Sequence, residues 1–200
     1  YLVHLRRLVR RLETAIRHEE PDLVITDFEP SLPRAAARLG VPYLSIDHQH
    51  FLVDCDLSQL PWLRRTQAAM MASVVRNYYR HQVESVISSF YFPPLKPGRM
   101  NVTQVGVLLR PEIAAARPEQ AGHLLVYMRR FADKKFFEAL LKCGRPVQIY
   151  GLGERPREGN LTFFPINEQS FVESLATCDA LVCNAGNQLV GEALFLGKPV

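Results

Sequence analysis

The chain predicts an α/β protein built from two Rossmann-like domains, each a parallel sheet flanked by helices. Three observations carry this. Short apolar runs of strand length alternate with stretches of helical periodicity from end to end. The alternation breaks at residues 106–122, an Ala/Arg/Pro/Gln-rich stretch that reads as a linker, and then restarts. Polar clusters follow several of the strands, where parallel sheets bind their ligands. The domains are therefore placed at residues 1–110 and 111–200. The chain starts at Tyr1 and stops at Val200 as a strand begins, so both domains are expected to be incomplete, the first lacking its opening strands and the second truncated at its C-terminus.

Each element has its own signal. Residues 1–19 form a basic amphipathic helix: Leu2, Leu5, Leu8, Val9, Leu12 and Ile16 recur at helical spacing, with Arg6, Arg7, Arg10, Arg11 and Arg17 elsewhere on the wheel. Pro21 and Asp22 lead into residues 23–26, an apolar run suited to a buried parallel strand. Asp27-Phe28-Glu29-Pro30 is a turn, and the helix after it ends at Gly40. Residues 41–46 are the next strand, with Asp47-His48-Gln49-His50 at its end. A long helix over 62–80 and strands over 83–89 and 101–105 complete the first half. In the second half, strands at 123–128, 146–150, 161–164 and 180–183 alternate with helices at 133–143, 168–176 and 187–196.

Bulk properties narrow the function. The net charge of +4 lies wholly in the first half: residues 1–110 hold 14 Lys/Arg against 10 Asp/Glu, and residues 111–200 hold 10 against 10. Such an excess suits an anionic acceptor or the surface of an anionic membrane. It is too mild for nucleic acid, and no stacking motif accompanies it. No apolar run reaches the length of a membrane-spanning helix. The cysteines Cys55, Cys143, Cys178 and Cys183 form no CxxC pair, which suits a reduced, cytoplasmic setting, with peripheral attachment to the inner membrane face left open. No P-loop and no hydrolase nucleophile elbow is present.

The last twenty-one residues carry the most chemistry. They read as a buried strand, a tight turn at Asn184-Ala185-Gly186, and a helix opening with Asn187 and Gln188. Such a turn delivers a helix N-terminus to the edge of a sheet, where free N–H groups and the helix dipole favour phosphate. Glu192 lies further along that helix, at the edge of a buried face formed by Leu189, Val190, Ala193, Leu194 and Leu196. There it can line a cleft and reach a sugar attached to the phosphate.

Residues 171–179, 181–186 and 191–199 together resemble the GT-B glycosyltransferases: a helix, an Asp before a strand, a Gly turn, then Glu-Ala-(x)3-Gly-x-Pro. The likeness is closest to the group holding the lipid-intermediate N-acetylglucosaminyltransferase of peptidoglycan synthesis and the UDP-glycosyltransferases. Residues 21–27 and Val105-Gly-Val-Leu-Leu-Arg110 support it further.

The resemblance implies transfer of a sugar from a nucleoside-diphosphate sugar, with UDP-sugar the expected donor, to an acceptor hydroxyl with inversion. It implies that Asn184, Ala185, Gly186, Asn187 and Gln188 hold the pyrophosphate, that Glu192 grips the ribose, and that main chain at Pro165 and Ile166 holds the base. The expected acceptor is a glycan, a lipid-linked molecule or a small molecule. No metal or other cofactor is implied, because the nucleotide-sugar is a substrate.

The chain departs from the family at Tyr127-Met-Arg-Arg-Phe131, where many relatives carry a Gly-Ser-rich turn. Arg129 or Arg130 can pair with the pyrophosphate there. In relatives the catalytic base is often a His or Asp of the first domain, near a Gly-rich loop that would precede Tyr1. Within this chain the candidates are Asp27, whose other reading is a helix cap, and His48, beside Asp47. A UDP-sugar 2-epimerase of the same fold and a non-catalytic nucleotide-sugar-binding scaffold are the alternatives.

Overall fold

The computed structural model describes residues 4–79, 81–129 and 133–200. Leu2, Arg130 and Phe131, named above, lie outside them. The chain divides into two compact units, residues 1–106 and 107–200.

The first unit contains, in order, α1 (Leu5–Glu19), β1 (Val24–Thr26), α2 (Ser31–Leu39), β2 (Tyr43–Asp47), α3 (Phe51–Asp54), α4 (Trp62–Tyr78), β3 (Glu84–Ser88) and β4 (Val102–Val105). All neighbours pair in parallel in the order β1-β2-β3-β4. Thr26 pairs with Ser45, Asp47 with Ile87, and Ser88 with Val105, so the strand ends emerge along one edge. The apolar face of α1 packs against α2, burying Val9 and Ile16, while Arg6, Arg7, Arg10 and Arg11 stay exposed. Burying each such aliphatic side chain contributes about 1.5–3 kcal/mol. The start of α2 is capped by Glu29, whose Oε2 accepts from Ser31 N at 2.9 Å and Leu32 N at 2.6 Å. Gly40 ends the helix in the left-handed region at φ 71°, which glycine adopts without a Cβ clash.

The second unit contains α5 (Pro111–Ala115), β5 (Leu124–Tyr127), α6 (Lys134–Lys142), β6 (Val147–Tyr150), β7 (Leu161–Phe164), α7 (Glu168–Thr177), β8 (Ala180–Cys183) and α8 (Asn187–Phe195). Its sheet is again wholly parallel, in the order β7-β6-β5-β8. Leu125 and Val126 on the central strand β5 are both fully buried, yet belong to different apolar clusters. Successive strand residues point to opposite faces, so this sheet is covered on both sides. Side-chain caps fix the starts of two helices: Asp133 accepts from Phe136 N at 2.8 Å, and Asn167 from Ser170 N at 3.0 Å.

The stretch read as a linker is partly structured. It contains α5, and Ile113 is fully buried in the core of the second unit. Residues 107–110 also belong to that unit, so the division falls earlier than the sequence places it. The physical reason is close packing on α8: a Cβ on Gly191 would stand 2.2 Å from Val107 Cγ2. Only glycine allows that approach.

Candidate active site

In the second unit, β5, β6, β7 and β8 deliver their following segments to one edge of the sheet, as parallel pairing requires. Two neighbouring cavities open there. One, of about 350 Å³, has Tyr127, Tyr150 and Phe171 in its wall, together with Arg110, Ile166 and Glu192. The aromatic rings brace one another: Phe171 lies 5.4 Å from Tyr127 and 5.2 Å from Tyr150, both edge-on. Tyr150 donates its hydroxyl hydrogen to Ser170 O at 3.2 Å and lies 2.9 Å from Ser174 Oγ, so it offers its ring rather than its hydroxyl to the cavity. The second cavity, of about 730 Å³, is bordered by Arg129 and by Asn184, Gly186, Asn187 and Gln188.

The turn between β8 and α8 is exposed at Asn184, Ala185 and Gly186. Gly186 is the N-cap of α8 and supplies no side chain to bond the first-turn N–H groups. The N-terminal end of a helix dipole attracts an anion. The glycine is not where the backbone is strained. Gly186 has φ −69°, while Ala185 occupies the left-handed region at φ 52°. That conformation costs a non-glycine residue about 1–2 kcal/mol. Ala185→Gly is therefore expected to raise stability by about 0.5–1 kcal/mol, since relief of strain exceeds the added entropy of the unfolded chain. Urea denaturation checks this, and a lowered midpoint would show that the alanine methyl is needed.

Glu192 is more deeply set than a cleft-edge acid. It is 1% exposed and sits in the wall of the smaller cavity. Arg110 holds it from two sides, Nε donating to Oε1 at 2.9 Å and Nη2 to Oε2 at 2.8 Å. Gln188 Nε2 donates to the same Oε1 at 3.0 Å and also to Leu108 O. Arg110 Nη1 donates to Glu168 Oε1 at 3.1 Å. Its hydrogen bonds to Glu192, then those to Glu168, push the guanidinium still higher above its ordinary range, against the opposing effect of burial. Neither Arg110 nor Glu168 was singled out for the site from the sequence. Arg110 lies far from Glu192 along the chain, and no periodicity links them.

Pro165 and Ile166 follow β7 and are exposed, with Ile166 in the wall of the smaller cavity. Arg129 follows β5 and borders both cavities, and its Nε donates to Tyr127 Oη at 3.1 Å.

In the first unit, Asp27 and His48 stand beyond the ends of the paired strands β1 and β2. The helix-cap reading of Asp27 does not hold, because Glu29 supplies that cap. Burial, followed by the charge of Asp47, raises the Asp27 carboxyl above its ordinary value. Asp47 is not the partner of His48. Its Oδ2 lies 2.8 Å from His50 Nδ1, and its Oδ1 accepts from His50 N at 2.8 Å. Both residues are buried, and Gln82 Nε2 lies 3.2 Å from the other His50 nitrogen. The three-residue spacing lets the acid cap the turn that leads into α3, which draws His50 inward.

His48 is instead oriented by main chain. Its Nδ1 lies 3.2 Å from Ser88 O, and its ring stacks on Phe51 at 5.5 Å. A carbonyl oxygen can only accept, so Nδ1 carries the hydrogen, and in the neutral ring the lone pair is on Nε2. The arrangement suits a proton acceptor. Among the described residues no group of three or more His, Cys, Asp or Glu side chains is placed to hold a metal ion. No helix among them is long and apolar enough to cross a membrane.

Two parallel four-stranded sheets flanked by helices, one in each unit, are the two Rossmann-like domains of the GT-B glycosyltransferase fold. The chain belongs to glycosyl transferase family 1, whose profile it matches over residues 2–200. No curated relative matches it significantly. Among solved structures it is similar to a UDP-glucosyltransferase from Polygonum tinctorium, with a TM-score of 0.63 at 14% identity over 98% of this chain and 61% of that one. A UGT transferase from Siraitia grosvenorii in complex with UDP gives 0.60 at 12% identity, covering 98% and 66%. The glycosyltransferase SnogD from Streptomyces nogalater gives 0.53 at 17% identity, covering 96% and 56%. The chain thus spans about 56–66% of the length of these three proteins.

Proposed function

We propose that this chain supplies the nucleotide-sugar site and part of the acceptor side of an inverting glycosyltransferase that uses a UDP-sugar. The observation that carries the reading is the exposed, uncapped N-terminus of α8 beside a cavity walled by aromatic rings and the Arg110–Glu192 pair. The diphosphate lies on the turn 184–186 and the first N–H groups of α8, with Arg129 as a further cation. Ile166 and the aromatic wall take the base, and Glu192 takes a ribose hydroxyl. The similar Siraitia grosvenorii structure, a complex with UDP, supports the choice of nucleotide.

In the reaction the acceptor oxygen attacks the anomeric carbon as the bond from that carbon to the diphosphate breaks. The electron pair of that bond leaves with the diphosphate, whose growing charge the N-terminus of α8 stabilises. The acceptor proton passes to His48 Nε2, with Asp27 as the second candidate base. The acceptor is a glycan, a lipid-linked molecule or a small molecule. Peripheral contact with an anionic membrane is supported by the arginine-rich outer face of α1.

Calorimetric titration with UDP, GDP and dTDP tests the donor. Selective micromolar binding of UDP is expected, and binding of none of the three would turn the reading toward a scaffold that has kept the fold. His48→Ala is expected to lower turnover about 100-fold, within the range for a general base, and to leave UDP affinity unchanged. Full activity in steady-state assays would remove His48 from the reaction.

A further inference from the structure

The Glu192 carboxylate is almost fully covered, and its counter-charge comes from outside its own helix. A buried carboxylate left unpaired would be strongly destabilised or lose its charge. Its two oxygens offer about four lone-pair sites. Arg110 and Gln188 fill both on Oε1, and Arg110 fills one on Oε2. Among the described residues, one acceptor position therefore remains, on Oε2.

The side chain of Arg110 is itself anchored. Nη1 is held by Glu168 at 3.1 Å, and the segment before it is fixed on α8 through Val107 against Gly191 and Leu108 O against Gln188. The guanidinium is therefore tied to two carboxylates, with Tyr127, Tyr150 and Arg129 the other titratable groups in the cavity wall.

We propose that Arg110 is a positioning residue of the nucleotide site: it holds Glu192 charged and in one orientation, leaving one lone pair of Oε2 for a ribose hydroxyl, and acts on the ligand only through that acid. The inference rests on the reading of this cavity as the ribose site. A direct phosphate ligand would turn its guanidinium to the diphosphate, whereas here each of the three guanidinium nitrogens of Arg110 donates to a carboxylate, using three of its five N–H groups.

The test compares UDP with 2′,3′-dideoxy-UDP by calorimetry in four proteins: wild type, Arg110→Gln, Glu192→Gln and the double variant. The wild type is expected to favour UDP by about tenfold or more, the scale of a hydrogen bond to a charged group. Arg110→Gln should bring the preference within about twofold, weakening UDP more than dideoxy-UDP. The double variant should bind UDP no more weakly than Glu192→Gln, because residues that act as a unit are not additive. It replaces both charges by amides of similar size, so it also controls for folding. Arg110→Lys should restore part of the preference. Equal weakening of both ligands by Arg110→Gln would overturn the proposal in favour of a direct phosphate contact. An undiminished preference in that variant would overturn it too. If the wild type binds UDP but does not distinguish the two ligands, the ribose reading itself falls, and if it binds neither, the nucleotide reading falls with it.

Discussion

Glu192→Ala should lower stability by about 2–3 kcal/mol and weaken nucleotide binding about 10- to 100-fold. The stability loss comes from Arg110, which keeps its charge after its buried partner is removed. Breaking a fully buried pair costs about 3–5 kcal/mol, but the Arg110 side chain is 30% exposed and partly rehydrates, so the lower range applies. The two losses have different origins and can be separated. Urea denaturation without ligand reads the first, and calorimetry with UDP on the folded variant reads the second. A variant that loses stability but binds UDP as before would leave Glu192 as a structural acid and remove it from the site. Glu192→Gln should lose less stability, because the amide still accepts through its oxygen.

Gly191→Ala should destabilise the protein by about 1–3 kcal/mol, against the usual trend for helices. In an exposed helix interior the same change gains about 1 kcal/mol. Here the new methyl would stand 2.2 Å from Val107 Cγ2, 2.6 Å from its Cβ and 2.7 Å from its Cγ1. The valine is branched at that carbon and cannot turn aside, so overpacking outweighs the gain in propensity. Val107→Gly in the same protein should recover most of the loss. If Gly191→Ala alone is as stable as the wild type, the segment 107–110 is not held on α8 as described.

The sequence foretold the alternation of elements well. β7 and β8 fall at 161–164 and 180–183, where apolar runs are sharply bounded by turn residues. Elements without such contrast escaped it. α5 was folded into a linker because Ala, Arg and Pro dominate its surroundings, and a single anchor, Ile113, holds it. α3 is four residues long, too short to display a helical period. The turn 184–186 and Glu192 were legible from local pattern, since a helix start and its acid lie close in sequence. The partner of Glu192 was not, because Arg110 meets it only through tertiary folding. The choice of His50 over His48 as partner of Asp47 was equally hidden, as adjacency in sequence does not set side-chain direction at a strand end. Composition does not mark Ala185 as the residue of positive φ in the turn, because glycine is the residue that favours that conformation.

The pairing of β8 with β5 joins Leu125 to Leu181, across all the intervening strands and helices of the second unit. Closing so long a loop costs entropy that local contacts cannot recover in advance. The turn 184–186 is covalently continuous with β8, so its final form depends on that closure. A ligand that bound only the finished turn would recognise completed topology as well as chemistry. By mass action such a ligand would draw partly assembled chains toward the finished sheet, and so would take part in the maturation of the unit it binds.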